Sequence, residues 1–478
     1  MSLSRSLSSA ARRVFETRRR LLQTGTAGAL GLSLGDWNCL TAQAESTGRP
    51  RAKRVLMIIE QGGLSHLDTW DPKPDAVAEH RSPFRPIATS VPGVQLTSLM
   101  PCTARIAHKI AIIRSMYHAK AGADAHPNGT QYALSGVHPS SPTEMPDLGS
   151  VVDKILGSEN RCLPPYVMVP GNHEQAAETR TGFLPPAYKV FKTGGRDLSD
   201  PNWKVADLLA RPENQQQRLS SRQRLLGELD RPFLTGETGP RTVQGAERFY
   251  EQAFETLTSG QVAAAFDLKQ EPQSLRDQYG PGHRGACYLL GRRLIEAGVR
   301  FVTVDVRWPL TDETPGGFNL NWDHHDLIYT PASCGTVRDK AGGEGRYGIG
   351  HWVMMGSTDQ AYAALINDLE DRGLLDETLV LFVSEFGRTP RLNKFQGRDH
   401  WTNAYSIAAA GAGIRGGQVI GSSDRDGGYV MSHPHIPEDY AATLFEKLGI
   451  DRGRPLYTST NRPVFFGDFG HPIPELMS

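Results

Sequence analysis

The sequence predicts an α/β protein in which a mainly parallel sheet carries helices on both faces. Apolar, β-branched runs typical of buried strands alternate along the chain with stretches of helical periodicity. Such alternation favours a parallel sheet, because each strand must return to the same edge through a helix. Polar residues follow several of the runs abruptly, and open α/β sheets bind their ligands at the carboxyl ends of strands. The sequence therefore predicts a ligand site at that edge.

The predicted elements can be placed along the chain. Six apolar runs are predicted to be strands: Arg54–Ile59, Ile110–Arg114, Tyr166–Val169, Phe301–Val306, Thr378–Val383 and Tyr405–Ala410. Four periodic stretches are predicted to be helices: Ala246–Leu257, Ala286–Ala297, Thr358–Arg372 and Pro437–Leu448. The polar stretch 176–283 is predicted to be a helical insertion or cap. A second, loop-rich insertion is predicted at 309–350.

Residues 1–44 are typical of an export signal. A twin arginine lies in Thr17–Gln23, an apolar run follows from Thr24 to Leu34, and Ala42–Ala44 fits an A-x-A cleavage site. The apolar run is shorter than the ~20 residues of a membrane span. We therefore predict an exported protein, periplasmic or at the cell surface, with the twin-arginine translocase as its partner during export. A cytosolic amphipathic leader is the alternative. Residues 45–478 are predicted to form a single domain that includes the insertion.

Charge and cysteine content narrow the function classes. Lys+Arg and Asp+Glu both number 52, so the overall charge gives no support for a nucleic-acid partner or an anionic membrane surface. The 5 cysteines lack the spacing of a zinc ribbon and are too few for a disulfide framework. The 50 glycines and 32 prolines indicate many long, shaped loops.

Two polar constellations lie in the first third of the chain. Residues Glu60–Asp71 follow the first strand, and their glycines allow the backbone to approach a bound group; a capped turn is the alternative. Residues His126–Thr130 form a loop that runs into a helix, whose N–H groups can face an anion. His126 or Thr130 could then act as nucleophile, ligand or anion donor, or His126 could be an ordinary surface residue.

Two further constellations lie in the last third. Trp322–Asp326 is dense in aspartate and histidine, which are ligands that zinc, manganese and iron accept; a solvated polar loop is the alternative. Ser384–Pro390 and Gly397–Trp401 bring an arginine, carboxylates and a histidine to the end of a predicted strand. Arg388 could offer a bidentate fork to sulfate, phosphate or carboxylate, or form a structural pair with Glu385.

Taken together, these motifs resemble a known family. The twin-arginine leader precedes QGG-x-SH-x-D-T-x-DPKP (Gln61–Pro74), H-x-x-G…L-[ST]-G (His126–Gly136), W-D-x-H (Trp322–His325), EFGRTP (Glu385–Pro390) and GRDHW (Gly397–Trp401), in this order. The chain thereby resembles the exported domain-of-unknown-function family 1501, which belongs with the alkaline phosphatase and sulfatase superfamily. The resemblance implies an alkaline-phosphatase-like sheet.

The resemblance also implies site residues. Glu60 and Gln61 resemble the two acidic ligands that sulfatases place after the first strand, and His126 stands where their modified cysteine stands. Asp323 and His325 resemble later metal ligands, and His400 resembles the late ligand histidine of phosphatases. The superfamily motif S-D-H-G corresponds to Ser384–Gly387. Its acidic residue is kept as Glu385, whereas Phe386 replaces its histidine.

The resulting hypothesis is an exported metal-dependent hydrolase of phosphate or sulfate esters. One divalent ion (zinc, manganese, iron or calcium) would be held by Asp323, His325, Glu385 and His400, with Glu60 as a further candidate. His126 would serve as nucleophile or general acid. Arg388 would clamp the anion of a small-molecule or glycan ester. A catalytically silent binding or surface-assembly protein on the same fold is the alternative.

Overall fold

The computed structural model describes residues 51–171, 179–194, 197–205, 260–306, 320–333 and 346–478. The predicted signal, the predicted helix 246–257 and most of both predicted insertions lie outside these ranges, so those assignments remain predictions. Within the described ranges, each helix is too short or too polar to cross a lipid bilayer.

The chain alternates strands and helices. The strands are β1 Arg54–Ile59, β2 Pro86–Ala88, β3 Gln95–Thr97, β4 Ile110–Met116, β5 Tyr166–Pro170, β6 Phe191–Lys192, β7 Phe301–Asp305, β8 Ala332–Ser333, β9 Arg346–Tyr347, β10 Thr378–Val383, β11 Gly387–Arg388, β12 His400–Trp401, β13 Tyr405–Ala410, β14 Val419–Ile420, β15 Ser422–Ser423, β16 Val430–Ser432, β17 Leu456–Tyr457 and β18 Pro463–Val464. The helices are α1 Pro101–Arg105, α2 His126–Ser135, α3 Leu148–Leu156, α4 Gly260–Phe266, α5 Gln273–Tyr279, α6 His283–Glu296, α7 Ser357–Asp371, α8 Pro437–Lys447 and α9 Pro474–Met477.

An eight-stranded sheet in the order β14-β4-β13-β10-β1-β7-β5-β6 forms the centre of the fold. β13 runs antiparallel to both of its neighbours, β10 and β4, and the other neighbouring strands pair in parallel. The prediction of an α/β fold with a mainly parallel sheet is therefore confirmed. The six predicted strands all belong to this sheet, and β1, β10 and β13 have the predicted bounds.

Helices cover both faces of the sheet, as predicted. Along β1, Leu56 and Ile58 pack into a core shared with residues of α6 and α7. Val55, Met57 and Ile59 point to the opposite face, into a core shared with α2, α3 and α8. Because successive side chains of a strand point to opposite faces, an almost continuously apolar strand is what a sheet buried on both sides requires.

β1, β7 and β10 are parallel neighbours at the centre of the sheet, so their carboxyl ends lie at one edge. The segments that follow β1 and β10 meet there. The backbone N–H of Gly62 donates to Oε1 of Glu385 (3.0 Å), and that of Leu64 donates to Oγ of Ser384 (2.8 Å). The fold therefore brings together loops that are more than 300 positions apart in the sequence.

Candidate metal centre

Four predicted residues converge at this edge of the sheet: His126, Asp323, His325 and His400. Each offers a donor atom, and the four atoms lie within 4.8 Å of one another. His126 is the first residue of α2, Asp323 and His325 lie in the described loop 320–333, and His400 begins β12. We call these residues the four-residue cluster.

Three imidazole rings point at a single carboxylate oxygen. The Oδ1 atom of Asp323 lies 3.1 Å from Nε2 of His126, 2.9 Å from Nε2 of His325 and 3.2 Å from Nε2 of His400. The Nε2 atoms of His325 and His400 are 3.0 Å apart. Four donors bound tetrahedrally to one ion at about 2.0–2.1 Å would be about 3.3 Å apart, so the cluster is close to that spacing.

One nitrogen atom of the cluster lacks a hydrogen-bond partner among the described residues, which a bound cation would explain. Nε2 of His126 is buried and makes no hydrogen bond to any residue that the structure describes, although the Asp323 carboxylate is near. A buried polar atom without a partner costs free energy, so such an atom calls for an explanation. Ligation of a metal ion would satisfy it. The three nitrogens and one oxygen also match the ligands that zinc, manganese and iron accept, whereas calcium prefers oxygen ligands.

An outer layer of oxygen atoms holds the other nitrogen of each ring. Nδ1 of His126 bonds Oε1 of Glu385, Nδ1 of His325 lies 3.0 Å from Oδ1 of Asp399, and Nδ1 of His400 lies 2.5 Å from the backbone oxygen of Asp124. An oxygen acceptor at Nδ1 places the proton there and leaves the Nε2 lone pair free for a metal. The tautomers are assigned from these contacts.

Phe386 forms an apolar wall beside the rings. Its buried ring packs at 4.5 Å from the ring centre of His400 and 5.3 Å from that of His126. It therefore restricts the rotation of both imidazoles without offering a donor atom of its own.

The electrostatics of the cluster favour positive charge at its centre. Burial alone would raise the pKa of Asp323, but the three neighbouring histidines and the charge of Arg388 hold it well below its usual range. Burial alone would lower the pKa of His126, but the charge of Glu385, the neighbouring Asp323 carboxylate and the bond to Glu385 raise it to about 9. Burial, together with the charges of Arg388 and His126, lowers the pKa of His400. The two carboxylates thus stabilise positive charge here, whether a proton or a metal ion carries it.

Gly62 allows the loop that carries Asp323 to dock directly on the loop after β1. Its φ is +99°, and a Cβ atom at this position would lie 2.4 Å from the backbone nitrogen of Trp322. That nitrogen donates to the backbone oxygen of Gln61 at 2.9 Å. A side chain at Gly62 would therefore push Asp323 away from the histidines.

Arg388 is placed differently from the predicted anion clamp. Its side chain is fully buried, and its Nη2 atom donates to Oδ1 of Asp323 at 2.7 Å and to the backbone oxygen of Gly62. Nε donates to the backbone oxygen of Gly63 (2.9 Å), and Nη1 donates to that of Arg398 (2.9 Å) and faces Nε2 of His325 at 3.5 Å. Four of the five N–H donors of the guanidinium thus have protein oxygens as acceptors, so in this structure Arg388 faces Asp323 and the backbone rather than open space for an anion.

Two predicted metal ligands lie outside the four-residue cluster. Glu385 belongs to the outer layer through His126. Glu60 is fully buried in a separate network, where its oxygens accept from Nη1 of Arg284 (2.7 and 2.5 Å), the hydroxyl of Tyr288 (2.7 Å) and Nε1 of Trp322 (2.6 Å). Burial with a paired arginine makes the Glu60 carboxylate a structural anion in this arrangement.

Sequence reasoning missed two supporting residues. Asn393 donates to the backbone oxygen of His325 (2.8 Å) and to Oδ1 of Asp399 (2.9 Å) and so holds the loop of Asp323 against the ribbon of β11 and β12. Asp124 contributes only its backbone oxygen. A backbone contribution leaves no trace in residue type, and an asparagine in a loop is too common to mark a site.

Comparison with known proteins gives a family and several distant structures. A family model described as "Protein of unknown function (DUF1501)" matches residues 52–477. The curated proteins include no match. Among solved structures, the chain is similar to the lipoteichoic acid synthase LtaP from Listeria monocytogenes (9% identity, TM-score 0.35, covering 89% of this chain and 76% of that one). It is also similar to the phosphonate monoester hydrolases SpPMH from Silicibacter pomeroyi (12%, TM-score 0.36, 84% and 74%) and of Agrobacterium radiobacter (12%, TM-score 0.36, 90% and 77%).

Proposed function

The chain belongs to the DUF1501 family of proteins of unknown function, and we propose from its site that it is an exported metal-dependent hydrolase of phosphate or sulfate esters. The observation that carries the metal site is the convergence of three histidine Nε2 atoms on Oδ1 of Asp323. The ester chemistry rests on the ordered motifs that resemble the phosphatase and sulfatase superfamily.

Four residues would hold one divalent ion: His126, Asp323, His325 and His400. When bound, such an ion polarises an ester oxygen, attracts the anionic substrate and lowers the pKa of a bound water. The nitrogen-rich ligand set favours zinc, manganese or iron over calcium.

The rest of the site fixes these ligands. Glu385, Asp399 and the backbone oxygen of Asp124 keep the protons of the three rings on Nδ1, so that each Nε2 faces the centre. Arg388 orients the Asp323 carboxylate and offsets part of its charge. This division of roles replaces the predicted anion clamp.

His126 is proposed as a ligand rather than as the nucleophile. Its Nδ1 bonds Glu385 and its Nε2 lies in the four-residue cluster. Both nitrogens are therefore committed while the ion is held, and an attacking histidine would need one of them free. Water is the remaining candidate for attack on the ester.

A silent binding protein remains the second candidate function, and the commitment of the Arg388 donors to protein oxygens favours it. An esterase without an arginine fork must bind its anion through the ion and backbone N–H groups. The side chains of the cluster are 18–30% exposed, so a substrate can reach them.

Metal analysis followed by a substrate screen tests the proposal. We expect the purified protein, prepared without chelator, to contain about one zinc, manganese or iron ion per chain. The metal-loaded protein should hydrolyse at least one of 4-nitrophenyl phosphate, bis(4-nitrophenyl) phosphate, 4-nitrophenyl sulfate and a phosphonate monoester. Chelation should abolish the activity and the same metal should restore it. A metal-loaded protein that hydrolyses none of these esters would favour the binding function, and a folded protein that takes up no metal would contradict the metal site itself.

A substitution at Asp399 tests whether the outer layer contributes to metal affinity. Replacing Asp399 with asparagine should weaken metal binding by about ten-fold, at the lower end of the effect of such outer carboxylates, because the Asp399 side chain is 55% exposed. Metal affinity measured by competition with a chromogenic chelator would report the change. Asp468→Asn, which alters an exposed carboxylate in another part of the chain, is the matched control. Unchanged affinity in Asp399→Asn would remove Asp399 from the site.

A further inference from the structure

The Glu385 carboxylate is held at both oxygens inside the protein. The side chain is 1% exposed. Oε1 accepts from the backbone N–H of Gly62 (3.0 Å) and bonds Nδ1 of His126. Oε2 accepts from the hydroxyl of Thr130 at 2.8 Å. The position of the carboxylate, and with it the ring of His126, therefore depends on several donors.

Thr130 and His126 reach Glu385 from the same face of α2. They are four residues apart, which is about one helical turn, so their side chains lie one above the other. Glu385 comes from the segment after β10, on the opposite side of the contact. The two bonds thus attach one carboxylate to one helix at two points. The hydrogen bond from Thr130 therefore sets the orientation of the Glu385 carboxylate relative to the imidazole ring of His126.

The hydroxyl of Thr130 has one proton and two acceptors within reach. Oε2 of Glu385 lies at 2.8 Å and Oε1 of Gln61 at 3.0 Å. The amide of Gln61 is oriented by Asp305, to which its Nε2 donates at 2.8 Å. A bond to an ionised carboxylate is stronger than a bond to an amide oxygen, so the proton of Thr130 goes to Glu385.

We infer that Thr130 is a positioning residue of the metal centre, acting through Glu385 on the orientation and tautomer of His126. Thr130 is fully buried and lies behind Glu385, one layer further from the ligands, so it acts without touching ion or substrate. The inference rests on the proposed metal site. Loss of a residue that orients a ligand directly, as Glu385 does, changes metal affinity by about 10–100-fold, and we expect the loss of Thr130 to give an effect at the lower end of this range.

Substitution by valine and by serine separates the hydroxyl from the packing. Thr130→Val keeps the shape and removes the donor, and it should weaken binding of Zn²⁺ or Co²⁺ to the full-length protein by about ten-fold. Thr130→Ser keeps the donor and should bind within about three-fold of the original protein. Thr358→Val is the matched control, because it removes another buried helical hydroxyl: Thr358 lies in α7 and donates to the backbone oxygen of Met354, in the turn before that helix. It should leave metal affinity unchanged.

A double-mutant cycle with Glu385→Gln tests whether Thr130 acts through Glu385. In the Glu385→Gln background the effect of Thr130→Val should shrink, because residues in one hydrogen-bond network are not additive. If Thr130→Val does not fold, Thr130→Ala serves in the same cycle. Original affinity in the valine or alanine variant, additive effects in the cycle, or a serine variant as weak as valine would each overturn the inference. A parent protein that binds no metal would instead refute the proposed function.

Discussion

Replacing Asp323 with asparagine is expected to lower the affinity of the protein for its divalent ion by more than about 100-fold, beyond what loss of an outer-layer residue causes. The Oδ1 atom of Asp323 is the point on which the three histidine Nε2 atoms and Nη2 of Arg388 converge. An amide of nearly the same shape keeps the packing but removes the negative charge at the centre. Metal content after dialysis, and affinity measured by competition, would report the loss.

His325→Ala is also expected to lower metal affinity, because it removes one of the four donor atoms. The fold should stay largely intact, because the His325 side chain is partly exposed. Asp376→Asn, an exposed carboxylate in the turn before β10, is the matched control and should bind metal as the original protein does. Full metal occupancy in both Asp323→Asn and His325→Ala, with unchanged affinity, would contradict the assignment of the four-residue cluster.

The central sheet could be predicted because its strands have a strong local signal. β1, β10 and β13 are runs of six residues buried along most or all of their length, and burial on both faces leaves an apolar run that the sequence displays directly. The edge strands β6 and β14 have two residues each, too few for a periodic pattern. The antiparallel direction of β13 depends on its partners in the sheet, which a run of apolar residues does not specify.

The residues of the candidate site could also be picked out from the sequence, because their types are unusual in their context. Asp323, His325 and His400 are polar groups in short, dense motifs, and His126 opens a helix after a loop. Their roles were less accessible. Whether His126 attacks, donates a proton or ligates depends on which atoms face its two nitrogens, and those atoms belong to Asp323 and Glu385, distant in the sequence.

Arg388 illustrates why a role cannot be read from residue type alone. An arginine after a strand predicts an anion fork on general chemistry. In the fold the fork is occupied by the Asp323 carboxylate and by the backbone oxygens of Gly62, Gly63 and Arg398. Backbone carbonyls are the same at every position of a sequence, so their convergence on one side chain appears only in three dimensions.

Glu60 is expected to contribute to stability rather than to metal binding. Its fully buried carboxylate pairs with the buried guanidinium of Arg284, 224 positions away in the sequence. Replacing Glu60 with glutamine leaves the charge of Arg284 without its counter-charge, and removing one partner of a buried pair costs roughly 3–5 kcal/mol. Unfolding in urea, followed by circular dichroism, should show this loss, while the folded fraction binds metal with the original affinity.

The double variant Glu60→Leu with Arg284→Met separates the charge pair from the packing. Replacing both members of a buried ion pair by apolar residues is often neutral or stabilising. The double variant should therefore recover part of the stability lost in Glu60→Gln, and only part, because the buried donors of Tyr288 and Trp322 lose Glu60 as their acceptor. Metal affinity should again be unchanged, because the carboxylate of Glu60 is directed at Arg284, Tyr288 and Trp322 and not at the four-residue cluster. If Glu60→Gln instead kept the original stability and lost its metal, Glu60 would have to be counted among the metal ligands. The loop after β1 would then have to rearrange when the ion binds.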